Sequence, residues 1–495
     1  METNKKQRNI FSPSGSMLVL VLVATGLFLV LVLGAITVGV LQQKLNLRKV
    51  ARAQALHIAE AGVNYYRWVL YHEHEEYCNN EPCIGPPNYG PYGPYAYTDS
   101  AGKGITGYYE LYITPPELYG STIVKIRSVG WVADYPNIKR EVEVKCGIPS
   151  WSNYSTLCDS NIRFGEGTET WGPIHSNGGI RFDGVAHNVI TSQLLDYNDP
   201  DHSGPDEYGV HTHVYATGIY DPNEVSDGSN PPNPPDYSGD PNNPFLAGRS
   251  FPVTPISFNL LDNYSTTTRA KAAENGIILP HTSGEGYHIT ISPVPGVQND
   301  TLTIRVVNSI TPTCFSNWAW QETFRITSET NYMTTTTPPN GLVYVEDNLW
   351  VDGQLDGDRI TMLAFYDNNT NIIINNDITY THYDGTEALG LIAENDVSVG
   401  LYSEDDLRID AALIAKNGRV GRNHYNWWNC DSTYWDRDTI TVYGAIATKQ
   451  RYGFAWTDGS GYDNRNLIYD NNLMFAPPPH YPTTGEYTFI SWREK

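Results

Sequence analysis

The sequence predicts a mainly β protein carried on one long N-terminal α-helix. Three observations make that prediction. An uncharged stretch from Met17 to Gln43 runs into a proline-free, alanine-rich segment. From residue 107, short segments alternate apolar and polar residues, which is the period of a strand with one buried face. From residue 174, short apolar phrases recur, each broken by an Asn, Asp or Gly corner. The abundance of Tyr (35), Gly (43) and Pro (32) also favours strands and tight turns over further helices. At 495 residues the chain exceeds one compact core, so two or three domains are expected.

The helix comes first. Met17 to Leu41 is almost wholly apolar and exceeds the roughly 20 residues that cross a bilayer. It is too long for the core of a simple signal peptide. Lys5, Lys6 and Arg8 favour a cytoplasmic head, although Lys44, Arg48, Lys49 and Arg52 beyond the span weaken charge as a guide. From Gln42 to about Leu70 there is no Pro, and alanines at 51, 53, 55, 59 and 61 are strong helix formers. Leu45, Leu56, Ala59, Val63, Tyr66 and Leu70 share one face, interrupted at Arg52 and continued by Ala55 and Ile58. A helix from Ser16 to about Leu70 is roughly 80 Å long. Its first half suits lipid and its second half suits docking on a domain.

These residues carry a resemblance. A short basic leader ending in Ser12-Pro13-Ser14-Gly15, an apolar span, and Ala55-Leu56-His57-Ile58-Ala59-Glu60-Ala61-Gly62 resemble the start of type IV pilin-like proteins. The Ala-Glu-Ala-Gly ending is most similar to the PilX-type minor pilins. The resemblance implies prepilin cleavage between Gly15 and Ser16, hence a leader 1–15 and a helix 16–76. It also implies a β-meander head 77–147 and a β-rich passenger 148–495. It departs from the major pilins at Ser16, where Phe or Met is usual, and at the fifth mature position, where Leu20 replaces Glu. The second departure is shared with some minor pilins of filament tips. The expected role is structural: assembly, tip priming or adhesion in a type IV pilus or secretion filament. The expected partners are other pilin-like subunits through the helix, the bilayer before assembly, and a surface target of the passenger. Such a protein is single-pass in the cytoplasmic membrane, has its C-terminal part outside, and reaches the cell surface after assembly. The alternative for the helix is an uncleaved signal anchor.

Residues 77–100 read as an irregular Cys/Pro/Gly/Tyr loop. Strands follow at 107–113, 122–129 and 139–145 and form an antiparallel meander. The passenger repeats apolar phrases at 174–182, 343–351, 373–380, 391–399 and 413–420. From the Asp347 corner to those at Asn376, Asn395 and Asn417 the steps are 29, 19 and 22 residues. That spacing suits the rungs of a β-solenoid; the alternative is a sandwich of Asn-cornered hairpins. An insertion is expected at about 196–310, with a helix at 257–275 capped by Ser257 or Asn259, and strands at 287–291 and 301–307. Trp492-Arg493-Glu494 near the end again resembles the C-terminal domains of large PilX-like proteins.

Chemistry is sparse. Lys plus Arg is 32 and Asp plus Glu is 55, a formal charge of −23, which disfavours direct nucleic-acid binding. Cys78, Cys83, Cys146, Cys158, Cys314 and Cys430 form no C-x-x-C pair, so disulfides are expected in place of zinc. Cys78 and Cys83 suit a local loop, and six cysteines leave 15 pairings open. Asp196, Asp199 and Asp201, followed by Asp206 and Glu207, cluster so that they could hold Ca²⁺, although solvated loop acids are the plainer reading. His202, His211 and His213 read as surface histidines for want of a further ligand at a telling spacing. Asp347, Asp352, Asp406 and Asp410 could form the carboxylate pair of a sugar-processing enzyme. The tryptophans, Trp318, Trp320, Trp350, Trp427 and Trp428 among them, could stack on sugars or on a partner, although burial in a core or under a loop is the plainer reading. No catalytic motif fixes their geometry, so the expectation is a non-enzyme without a required cofactor. A surface polysaccharide-binding or polysaccharide-processing protein is the alternative.

Overall fold

The computed structural model describes residues 13–86, 88–98, 104–214, 224–294, 299–483 and 485–495. It is mainly β, with one long N-terminal helix. Two compact units divide the chain: Met1–Thr114 with Lys125–Lys145 and Ile490–Lys495, and Pro115–Val124 with Cys146–Phe489.

In the first unit, α1 (Pro13–His72) runs unbroken for 60 residues. Residues 1–12 of the expected leader lie outside the described residues. Met17 to Leu33 is bare and apolar, and the helix is long and apolar enough to cross a membrane. The rear half buries Ala51, Ala55, Ile58, Ala59, Val63, Tyr66, Val69 and Leu70. Two members of the expected stripe fall outside this set: Leu45 is exposed and Leu56 half-buried. The buried face packs on a sheet containing β1 (Tyr92–Thr98), β2 (Ile105–Thr114), β3 (Val124–Val132) and β4 (Lys139–Gly147). The pairing of β1 with β2 and of β2 with β3 is antiparallel. Alternate residues Tyr109, Leu111 and Ile113 of β2 are buried, as its apolar–polar alternation predicts.

The small residues of the helix have a packing purpose. A Cβ on Gly130 of β3 would stand 2.4 Å from Ala59 N and 2.6 Å from Ala55 O. A Cβ on Gly62 would stand 2.4 Å from Ser128 Oγ. Ala55, Ala59 and Gly62 therefore let the helix backbone touch the sheet. Two strands escape the sequence reading. β1 lies in the segment read as an irregular loop, and the C-terminal strand Thr488–Glu494 is the sheet's fifth member, beside β4. Trp492-Arg493-Glu494 belongs to that strand. Lys495 N donates to Glu141 O (3.0 Å) and its Nζ pairs with Glu143 (2.5 Å).

The second unit is built of parallel ladders. In one, Ile277–Leu279, Leu342–Val345, Arg359–Ala364, Ala388–Ala393, Asp406–Ala415 and Asp436–Thr448 pair in turn. Val343, Met362, Leu391, Leu413 and Ile446 fall in register along it and are all buried. The ladder then continues backwards in sequence: Ile446 pairs with Thr156, and Thr156–Cys158 with Ile174–Ser176, followed by Ile190–Ser192 and Arg249–Ser250. A second ladder makes the same switch, since Gly461–Tyr469 pairs in parallel with Thr168–Trp171. The opposite face of the first ladder, with Tyr344, Leu363, Ile392 and Ile414, is covered by α2 (Tyr264–Asn275) and the short helix before it. Strands buried on both faces read as continuous apolar runs such as Leu389–Ala393. Among the described residues no sheet closes on itself.

The corners correct the expected repeat. Asn348 Oδ1 accepts from Asn371 N (2.9 Å), Asn371 Oδ1 from Asp396 N (3.1 Å), and Asp396 Oδ1 from Arg419 N (2.7 Å). The aligned positions 349, 372, 397 and 420 step by 23, 25 and 23 residues. Asn376 is not in this row; it bonds Asp352 Oδ2 at 3.0 Å. Ser257 caps the short helix by accepting from Asn259 N. Residues 277–291, expected within an insertion, are rungs of the ladders. What departs from the ladders is the hairpin Asp196–Tyr197/Glu207–Tyr208, α2, and the antiparallel pair Thr301–Ile310 and Ile326–Thr336.

Candidate metal centre and surface groove

The hairpin Asp196–Tyr197/Glu207–Tyr208 and the parallel pair Ile180–Phe182/Val210–His211 bring four groups together. Asp199, Glu207, His211 and His213 are all buried, and one donor atom of each lies within 4.8 Å of the others. His211 Nε2 stands 2.7 Å from Glu207 Oε2 and 3.5 Å from Asp199 Oδ2. His213 Nε2 stands 2.7 Å from Glu207 Oε1. The His211–Thr212–His213 backbone is pinned from behind: Glu224 Oε2 accepts from Thr212 N (2.6 Å) and Asp183 Oδ1 from His213 N (2.9 Å). Arg249 neutralises buried Glu224, and Arg181 bonds Asp183 at 2.7 Å and approaches Asp199 at 3.6 Å.

Electrostatics in this pocket oppose burial. Burial alone would raise the Asp199 and Glu207 carboxyls, yet His211 and the other donors hold Asp199 well below its usual range and Glu207 down to about 2. Burial would likewise lower His211, but the two carboxylates push it up to about 9. A mixed set of two imidazoles and two carboxylates suits a transition-type divalent ion better than Ca²⁺, which prefers oxygen throughout.

Of the carboxylates expected for Ca²⁺, Asp199 and Glu207 belong to this centre, and Asp196 and Asp201 do not. Asp196 accepts from Ser226 Oγ (3.1 Å), and Asp201 pairs with Arg163 and Arg451. The histidines correct the surface reading: His211 and His213 are 0% and 3% exposed. Their alternation was visible in the sequence. Glu207 and Asp199 join them only through the hairpin and the ladder.

A separate groove of about 450 Å³ lies on the ladder face and is lined by His288, Arg325, Glu329, Asp352 and Tyr402, among others. The two ring nitrogens of His288 lie 2.7 Å from Glu329 and 2.9 Å from Asp352, within hydrogen-bond reach of both carboxylates. Burial disfavours the charged ring, but these two carboxylates together hold its pKa above the usual value. Asp352 is the one member of the four-carboxylate set that lines the groove. Asp410 is wholly buried, accepting from Tyr380 N, Tyr383 Oη and Arg408 Nε at 2.8–2.9 Å. Asp347 accepts from Thr282 N (2.9 Å), and Asp406 is exposed.

Disulfides join Cys78 to Cys83 and Cys314 to Cys430. Cys146 and Cys158 are buried and join neither, against the expectation for six oxidised cysteines. Cys158 occupies a ladder row, in register with Thr448 and Ser176, and burial pushes its thiol up. The Cys314–Cys430 bridge ties two short segments that present aromatics to solvent. Trp318 is 92% exposed and Trp428 73%, and Trp427 stacks on Trp428 at 3.9 Å. Trp350 is instead buried, donating to Phe324 O (2.9 Å). Gly15 and Ser16 lie in the first turns of α1, and Leu20 is exposed on it. Compared with family models, with curated proteins and with solved structures, the chain matches none.

Proposed function

We propose that this chain is a minor pilin-like structural protein, anchored by α1 and presenting a solenoid-like passenger outside the membrane. One observation carries the reading: α1 has two chemically distinct halves. The apolar front is bare, whereas the alanine-rich rear docks on an antiparallel sheet through Ala55, Ala59 and Gly62. A plain signal anchor needs only the front. The test is the N-terminal sequence of membrane-extracted protein. A start at Ser16 supports cleavage as a prepilin; an intact Met1 leaves an ordinary anchored protein. In the pilin reading, Leu20 places the subunit at or near a filament tip. It cannot neutralise the buried N-terminal amine of a neighbour, and a buried unpaired ammonium is costly. Immunogold label at one end of sheared filaments is expected, and label along the shaft refutes tip placement.

A second reading, a surface polysaccharide-binding protein, is favoured by the exposed Trp318, Trp320, Trp427 and Trp428 beside the Cys314–Cys430 bridge. Flat aromatic faces suit sugar rings, and rigid side chains lose little entropy on binding. Retention on acidic and neutral polysaccharides that Trp318→Ala with Trp428→Ala abolishes supports it. Equal retention of both proteins rejects it.

A further inference from the structure

Three atoms in the acid–histidine centre approach one another without completing a hydrogen bond. His211 Nε2, Glu207 Oε2 and Asp199 Oδ2 are each buried and each lack a partner of hydrogen-bonding geometry, although Nε2 and Oε2 are only 2.7 Å apart. On the other side of the ring, His211 Nδ1 lies 3.2 Å from the Tyr208 carbonyl oxygen. A carbonyl only accepts, so Nδ1 carries a proton and Nε2 is the nitrogen free to present its lone pair. Lone pairs from nitrogen and from two carboxylates thus converge on one point. Such convergence is repulsive unless a cation sits there. A backbone carbonyl that fixes the imidazole tautomer is also the usual outer support of a metal-bound histidine.

We propose that Asp199, Glu207, His211 and His213 bind one divalent cation of the zinc class. Four protein donors fill a tetrahedral shell, and the two carboxylates balance the ion's charge. A shell closed by protein suits a structural role rather than a catalytic one. The ion would brace the hairpin 196–208 against the strand Val210–His211 that follows it, where each backbone pairing, Asp196–Tyr197 with Glu207–Tyr208 and Val210–His211 with Ile180–Arg181, is only two residues long. The neighbouring charged groups fit this role. Arg181 faces Asp199 (3.6 Å), and His202, three-quarters buried, faces Glu207 Oε1 (3.3 Å). Neither enters the set of four.

The alternative occupant is a second proton on His211, making an ion pair with the carboxylates and no metal. Full-length chain in detergent, stripped with a chelator and dialysed, separates the two. Adding Zn²⁺ alone is expected to leave one bound equivalent per chain by elemental analysis. Replacing it with Co²⁺ is expected to give the intense visible bands of a tetrahedral site. His211→Ala with His213→Ala should lose the equivalent, with at least about a 100-fold fall in affinity. His187→Ala, an imidazole on a neighbouring rung, should keep it. Wild-type chain that binds no Zn²⁺, gives only weak octahedral Co²⁺ bands, or holds zinc equally well after the double substitution overturns the proposal. Should the double variant misfold, Co²⁺ spectra of the wild type and of Glu207→Gln still decide.

Discussion

Gly130→Ala tests whether the small residues of α1 hold it against the sheet. The added methyl would meet Ala59 N at 2.4 Å and Ala55 O at 2.6 Å, where ordinary contacts begin near 3.4 Å. Both are helix backbone atoms, so neither can swing aside. The helix must lift by about 1 Å, which forfeits up to about half of each dispersion contact along the seam. That seam includes Ile58, Val63, Tyr66 and Leu70, all essentially fully buried. Overpacking costs about 1–3 kcal/mol, and the rigidity of both sides points to the upper end. Hydrogen exchange in detergent, read over residues 124–132, is the assay. A loss of about 3 kcal/mol accelerates the protected amides about 100-fold. Gly26→Ala is the control, because no atom lies within 4 Å of its Cβ site. Exchange in β3 within about threefold of wild type would refute the close-approach argument.

Three further outcomes follow from buried groups. Arg422 is fully buried, and its guanidinium donates to the carbonyls of Gly400, Leu401, Tyr434 and Trp435; Arg422→Leu strands those acceptors and should cost about 3–5 kcal/mol in urea unfolding, so a loss below about 1 kcal/mol contradicts this role. Asp300 is 2% exposed, and burial beside Asp356, Asp358 and Glu387 pushes its carboxyl up to about 6. Its folded form binds the proton more tightly than the unfolded chain. Stability from this group is therefore greatest below about pH 4 and falls as pH rises through about 6, by up to ~3 kcal/mol. Asp300→Asn should stabilise the chain at pH 7 and not at pH 4, and an equal effect at both pH values would exclude the ionisation. Thiol titration without reductant should find two reactive groups in denaturant, Cys146 and Cys158, and none in the native chain; six in denaturant would contradict the two bridges, and none would show Cys146 and Cys158 oxidised as well.

How far the sequence was legible depended on the range of the interaction. α1 and strands β2 to β4 announced themselves because periodicity and propensity act over a few residues. β1 was hidden by its Gly-Pro content, and the C-terminal strand by its distance from β4. The repeat was half visible. Asn376 resembles a corner, yet the register runs through Asn371, because alignment is set by backbone pairing and not by residue type. The acid–histidine cluster was missed for a related reason. His211 and His213 were two apart and noticeable, but Glu207 and Asp199 reach them through chain pairing that spacing does not encode. The backward step from Ile446 to Thr156 has no local signature at all.

That backward step also bears on how the passenger is made. Translation delivers Thr156 to Ser192 early, but the strand that templates their first rung, Asp436–Thr448, comes 290 residues after Thr156 at Ile446. At ordinary synthesis rates the early rungs wait ~15–60 s with an open strand edge. Open edges recruit unintended partners, so the nascent passenger is exposed during that interval to mispairing with itself or a neighbour. The same order makes the fold a check on completion. A chain interrupted before residue 436 carries the early rungs and those of 277–415 but lacks the strand that joins the two sets, and is left recognisable as unfinished.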